Sequence, residues 1–360
     1  MTADVTYIKF DGGLGRALTG EDHFSGLVVH EASAVPTFNT FYSLNEAEVA
    51  GFSATAHAVA HYHIEQYFAM QPQGVLYFTL SGDSLTDSVI NLQNYAEGAI
   101  RQVAVLDSAP FSTNTVQTLQ AAADTLETAH KGLSILYTGD FTGMTIDTLP
   151  TLTTLDSEYV SVVVGADVSG RSCLGRTLGT VSLAAVSQNI GEVKVFNVVK
   201  DTEYDVLGFA TGEAYRGVTD AKLNALELKN YIFLRKYTGL AGSFHSDANT
   251  ATARTSDFLY IENVRTIEKA ERAIRVALLP ELMTRLKLDK GLLAQETISK
   301  FELLVQNQLD AMVDNTELSD YKVVINPAQK VASTSKLEIQ VGLTPLGIAR
   351  QIVVGIGFQL

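Results

Sequence analysis

The stretch SDFLYIENVRTIEKAERAIRVALLPEL, residues Ser256–Leu282, decides the architecture of the second half of this 360-residue chain. Val264, Ile267, Ala270, Ile274, Ala277 and Leu278 recur at intervals of three and four, the spacing of one helical face. The spacing predicts a helix over Ile261–Leu288, interrupted only at Pro280. Leu293, Ile298, Phe301, Leu304, Val305, Leu309 and Met312 predict a second long helix over Leu292–Met312. The strand-like runs Tyr321–Pro327, Lys336–Pro345 and Ala349–Leu360 follow, which makes this half an α+β unit. Just upstream, Ala221–Leu228 reads as a helix and Tyr231–Gly239 as a strand.

Residues 26–200 have a different texture. The apolar runs Gly74–Ser81, Gln102–Ser108, Leu133–Asp140 and Tyr159–Asp167 alternate with helical segments near Asn45–Met70, Leu85–Gly98 and Thr113–His130. Near-continuous apolar strands separated by helices indicate an α/β domain with a mainly parallel sheet covered on both faces. Residues 1–25 read as an arm. Val5, Tyr7, Ile8 and Phe10 form a strand with apolar groups on both faces, and Gly12, Gly13 and Gly15 then make a hinge. At the other end, Ile352, Val354, Ile356 and Phe358 make the last strand apolar, with Gly347 as a hinge before it. The expected organisation is an arm over 1–25, an α/β domain over 26–200, an α+β domain over 201–345 and a second arm over 346–360.

Composition narrows the function. The chain is 46% hydrophobic and 18% charged, with a net charge of −14, so it is neither disordered nor suited to broad nucleic-acid binding. Residues 1–200 carry 20 acids and 8 bases, against 20 and 18 in residues 201–360, so nearly all of the excess negative charge lies in the first half. No long uncharged apolar run suggests a membrane span, and no apolar core near the N-terminus suggests a signal peptide. A single cysteine, Cys173, excludes a disulfide framework.

Three patterns offer chemistry, and each has a plainer reading. Gly170–Thr177, GRSCLGRT, has the spacing of a phosphate-binding loop between a strand and a helix, but Arg176 stands where the ammonium of lysine is needed. A soluble nucleotide-binding α/β enzyme using this loop is the alternative function; the plainer reading is a small-residue helix start in which Gly175, Gly179 and Ala184 permit close packing. His57, His61 and Glu65, with His63 nearby, share metal-ligand spacing on a helix but lack the glutamate base of a protease motif. Cys173 sits in sequence beside Arg171 and Arg176, which would lower its pKa if they faced it; the plainer reading is a small core residue. No catalytic constellation rises above this, and neither a cofactor nor a metal is expected.

The order of elements carries a resemblance. The opening Ile261-Glu262-Asn263-Val264-Arg265, the continuation Lys269-Ala270-Glu271-Arg272, a second helix, a β-hairpin region and the final run Thr344–Phe358 resemble the core of contractile tail sheath proteins, found in phage tails and contractile injection systems. Gly239–Asp247 and Leu174–Val193 look like further sheath segments. The resemblance implies a structural subunit, not an enzyme, that polymerises helically around an inner tube and contracts to drive it through an envelope. It implies self-assembly by strand exchange through both arms, with tube, baseplate and terminator proteins as partners and with no nucleic acid or membrane insertion. It places the particle's assembly in a bacterial host cytoplasm, the α+β domain inside and the α/β domain outside. A capsid or tail-tube component is the other self-assembling class; the long helices argue against a tube subunit. Two rows on the long helices are candidates for the tube-facing surface: basic Arg265, Lys269, Arg272 and Arg275, or acidic Glu302, Asp310, Asp314 and Glu317.

Overall fold

A computed structural model describes residues 22–167, 169–198 and 208–357. Val5, Tyr7, Ile8, Phe10, Gly12, Gly13, Gly15 and Phe358 lie outside the described residues. At the centre is a seven-stranded sheet: β1 (Ser25–His30), β2 (Thr37–Phe41), β3 (Leu76–Ser81), β4 (Gln102–Pro110), β5 (Ser134–Asp140), β6 (Val160–Val163) and β7 (Tyr231–Ile232). The spatial order is β2-β3-β1-β4-β5-β6-β7, with every neighbouring pair parallel except the edge pair β2-β3. The strands are apolar on both sides because both sides are covered. Val28, Val103, Val105 and Ile135 pack with α3 (Leu85–Tyr95) and α4 (Thr113–Thr128) through Val89, Leu92, Val116 and Leu119. Leu27, Val29, Ala104 and Leu136, from alternate positions, pack with α2 (Ala58–Met70) and α5 (Leu174–Leu183) through Ile64, Tyr67, Leu174 and Leu178.

Residue 200 is not the boundary between cores. β7 completes the sheet, and Leu223 and Leu226 from α6 (Asp220–Leu228) join Phe233 and Ala251 in its core. A second, smaller core begins only with α7 (Ile261–Leu278), where Ala270 meets Val305, Leu309 and Met312 of α8 (Gln295–Asp314). The mainly parallel sheet and the two long helices agree with the expected mixed class.

Several expected elements are shorter. The helix expected over Asn45–Met70 is two, α1 (Leu44–Val49) and α2, because Gly51 turns the chain at φ +101°. The helix expected to reach Leu288 ends at Leu278 in a single 3₁₀ turn, Leu279–Glu281, at Pro280. The strand expected over Tyr231–Gly239 is reduced to β7 and the pair Leu234–Arg235. Within the described part of Ala349–Leu360 no strand forms.

The phosphate-loop pattern is spent on packing. Asp167 places its own carboxylate in the loop, accepting from the backbone N–H groups of Ser169 and Arg171 at 2.9 Å each. Cys173 N–H donates to Gly165 O, and Gly175 N–H to His63 Nδ1 at 3.2 Å. These donors are unavailable to a ligand, and an internal anion repels phosphate. Arg176 turns into the body, where it is 1% exposed and donates to Gln66 Oε1 at 2.7 Å and Val198 O at 2.6 Å. The nucleotide-site reading therefore fails, and the close-packing reading holds. A Cβ on Gly175 would clash with His63 O and lie 2.8 Å from His63 Cα, both backbone atoms of α2. Gly175→Ala is expected to destabilise the chain by about 1–3 kcal/mol, outweighing alanine's better helix propensity of about 1 kcal/mol. A lowered urea midpoint with unchanged slope would register it.

Candidate assembly interface

The C-terminal unit is built from α7, α8 and a hairpin of β8 (Asp320–Val324) and β9 (Gln340–Thr344). Tyr321, Val323, Val341 and Leu343 point to the helices, while the alternate residues Asp320, Lys322, Val324, Gln340, Gly342 and Thr344 are exposed. Among the described residues the hairpin is a two-stranded sheet with no third strand on either edge. Unpaired edges of this kind are templates for another strand, and two strands alone are marginally stable.

Beyond β9 the chain crosses the α/β body and reaches Arg350, which is held in a cradle. Its Nε donates to Asp247 Oδ2 at 2.8 Å, its Nη2 to Glu262 Oε1 at 2.5 Å, and its guanidinium lies 3.4 Å from the Tyr260 ring centroid. Asn189 Nδ2 ties the two carboxylates together at 2.6 and 3.0 Å. Past Arg350, Ile352, Val353, Val354 and Ile356 are 81, 83, 70 and 94% exposed. An apolar, β-branched segment in water is strand-prone surface without a partner. The chain thus presents an unpaired strand former and an unpaired sheet edge together.

The basic row of α7 does not form an exposed surface. Arg265 is 4% exposed and donates to Ala184 O, Ala185 O and Asp22 O at 3.2 Å each. Lys269 pairs with Asp22 at 2.6 Å and Glu317 at 2.5 Å, and Arg272 with Asp22 and Glu268 at 3.3 and 3.5 Å. Burial pulls Arg265 down to about 10 against the opposing pull of Asp22, so it remains charged at neutral pH. Of the four bases only Arg275 is exposed. The other three join the C-terminal unit to the α/β body and to Asp22, the first described residue. In the acidic row Glu317 is internal for the same reason, whereas Asp310 and Asp314 are exposed and Glu302 half-buried. The sequence reading missed Asp22, Asp247 and Arg350. The available signal was a lone arginine interrupting an apolar tail.

The other candidate chemistry disperses. His61 bonds Glu48 at 2.8 Å, His63 is buried against α5, and Glu65 is exposed, so the helix spacing assembles no metal site; among the described residues no cluster could hold a metal ion. Cys173 is fully buried, and burial pushes its thiol up to about 12, opposite to the activation that its arginine neighbours in sequence suggested.

Where α7 meets the α/β body, Glu268 and Glu271 approach Glu127. Burial, followed by the Glu127 charge, holds the Glu268 carboxyl well above its ordinary value of 4.5, and burial with a hydrogen bond donated to Glu127 does the same for Glu271. The folded chain therefore keeps protons that the unfolded chain releases above about pH 4.5, and folding stability falls as pH rises through the raised values. Buried His63 and His245, lowered to about 4 and about 3, act in the opposite sense, but their contribution is fully present above about pH 6.5. The thermal midpoint should accordingly be higher at pH 6.5 than at pH 8.5. Glu268→Gln should raise the pH 8.5 midpoint and flatten the difference, as read by calorimetry.

The family model described as DUF2586, N-terminal domain, matches residues 2–249, and that described as DUF2586, C-terminal domain, matches residues 257–360. The gap between them falls where the first core ends and α7 begins. No curated protein sequence matches the chain. Among solved structures, the helical sheath of the anti-feeding prophage in its contracted state is similar at a TM-score of 0.68, with 16% identity over 99% of each chain. A chain of the six-fold symmetrised anti-feeding prophage baseplate is similar at 0.64, with 17% identity over all of both chains. The sheath complex of the extracellular contractile injection system PVC, also contracted, is similar at 0.64, with 15% identity over 99% of this chain and 98% of that one. At these identities the likeness is one of fold, and it extends over the whole chain. Matched by one family model over its α/β body and by another from just ahead of α7 to the C-terminus, the chain belongs to the DUF2586 family.

Proposed function

We propose that this chain is the structural subunit of a contractile tail sheath, polymerising helically around an inner tube and contracting to drive it through a target envelope. The observation that carries the reading is the pairing of an exposed, strand-prone arm at 351–357 with an open two-stranded hairpin in the same chain. Neither is satisfied within one molecule, and a neighbour's arm added to the hairpin edge satisfies both. The full-length fold likeness to sheath and baseplate chains supports the same reading. No helix among the described residues is long and apolar enough to cross a membrane.

In this reading Ile352, Val354, Ile356 and Phe358 at one end, and Val5, Tyr7, Ile8 and Phe10 at the other, enter sheets of neighbouring subunits. Gly12, Gly13 and Gly15 hinge the first arm. The C-terminal unit forms the inner mesh, and the acidic α/β body faces outward. The partners are further copies of the chain, an inner tube protein, and baseplate and terminator proteins. The particle is a phage tail or an injection device, assembled in the bacterial host cytoplasm. Contraction needs no cofactor: at about 25 cal/mol per Å² of apolar area, a few hundred Å² of new contact per subunit supplies several kcal/mol.

Removing residues 351–360 should abolish ordered tubes in negative-stain micrographs while leaving a monomer with unchanged circular dichroism. Tubes of ordinary appearance would refute the arm's role. With most of the basic row internal, the exposed part of the acidic row is the better tube-facing candidate. Charge reversal at Asp310 and Asp314 is expected to cut co-sedimentation with the tube protein at least tenfold, while reversal of Arg275 leaves it within twofold.

A further inference from the structure

Both ends of the described chain are fastened to one helix. In the first turn of α7, Glu262 accepts from Arg350, the root of the C-terminal arm. Further along the same helix, Lys269 and Arg272 bind the carboxylate of Asp22, to which residues 1–21 are joined. Seven and ten residues separate these positions from Glu262, about 10 and 15 Å along a helix that rises 1.5 Å per residue. The attachments are sheltered. The side chains of Glu262 and Asp247 are 2 and 8% exposed, those of Lys269 and Asp22 18 and 19%. Supporting groups hold each one. Asn189 and Tyr260 brace the first, and Glu317 shares Lys269 in the second. Arg265 adds a hydrogen bond to Asp22 O.

We propose that α7 is a load-bearing strut that couples the two arms of one subunit, with Arg350–Glu262/Asp247 as one clamp in its first turn and Asp22–Lys269/Arg272 as the other near its middle. Tension arriving through a neighbour bound to one arm then passes along the helix to the other arm. A helix carries such tension through its ladder of backbone hydrogen bonds, and the charge-assisted pairs at the two attachments resist separation because opening them exposes partly buried ions. The C-terminal arm consequently leaves the subunit just beyond Arg350. Gly347, upstream of the clamp, only lets the chain turn from the hairpin towards it. These are positioning residues, and the inference rests on the sheath reading above.

The test uses the full chain with Arg350→Ala, Asp22→Ala and their double variant, plus the conservative Arg350→Lys and Asp22→Asn. Amide hydrogen exchange on the monomers is the first readout. Arg350→Ala should accelerate exchange at 346–357 at least tenfold, and Asp22→Ala at 22–24, with the central sheet unchanged. Tubes of each variant are then sheared and their lengths measured. Links in series fail at the weaker one, so each single variant should shorten the sheared tubes at least fivefold and the double variant no further than the worse single. Arg350→Lys should lie between Arg350→Ala and the unaltered chain. Multiplicative losses in the double variant would show two independent contacts and overturn the strut. Sheared tubes of unaltered length in both single variants would do the same. If an alanine variant fails to fold, Arg350→Lys, Asp22→Asn and their double carry the same series test. Absence of tubes from the unaltered chain would refute the sheath reading itself, and the strut with it. Normal tubes that need residues 351–360 but survive both alanine changes would refute the strut alone.

Discussion

Burial of charge along α7 is the constraint on which the rest of the molecule depends. Arg265, Lys269 and Arg272 are drawn out of water at the junction between the two cores, together with Glu317 and Asp22. A buried ion without its partner costs several kcal/mol, so each of these groups fixes the position of another element. Arg265 holds the end of α5 through two carbonyls, Glu317 holds the turn after α8, and Asp22 holds the entry to β1. The hydrophobic cores say that two units exist; the polar seam says how they are joined.

The same reasoning separates the rigid from the free parts of the chain. The seven-stranded sheet is apolar on both faces and covered on both, so it is a body with little to offer a partner at its faces. The hairpin β8-β9 and residues 351–357 are the reverse, short of partners for backbone and side chains alike. The proposed assembly role draws on that contrast. Arg176, Gly175 and His63, which in the sequence suggested a nucleotide or metal site, form one interlocked packing contact between α2 and α5.

Much of the fold was legible because hydrophobic periodicity is local. The runs at Leu76–Ser81, Gln102–Pro110 and Ser134–Asp140 could be read as buried parallel strands, and the faces of α4, α7 and α8 as helices, from residue spacing alone. The break between α1 and α2 at Gly51 escaped that reading, because one glycine in a helical pattern does not reveal whether its φ is positive. The attachment of β7 escaped as well. Two residues of strand carry too little periodicity to show which sheet they join.

The candidate site was legible only at its apolar end. An apolar, β-branched tail is visible in Ile352, Val353, Val354 and Ile356, and its lack of a partner follows from its exposure. The charged rows were not legible, since a base spaced at i, i+4 and i+7 looks the same whether it meets water or a buried carboxylate. The sequence by itself determined the class of most segments, the asymmetry of charge and the apolar, β-branched character of the C-terminal tail, all of which depend on residues near one another in the chain. Only the tertiary structure decided which charges are internal, where one core gives way to the next, and that α7 grips Asp22 and Arg350 together. The grip on Asp22 and Arg350 depends on contacts between residues 247 and 88 positions apart in the chain, distances over which spacing carries no information.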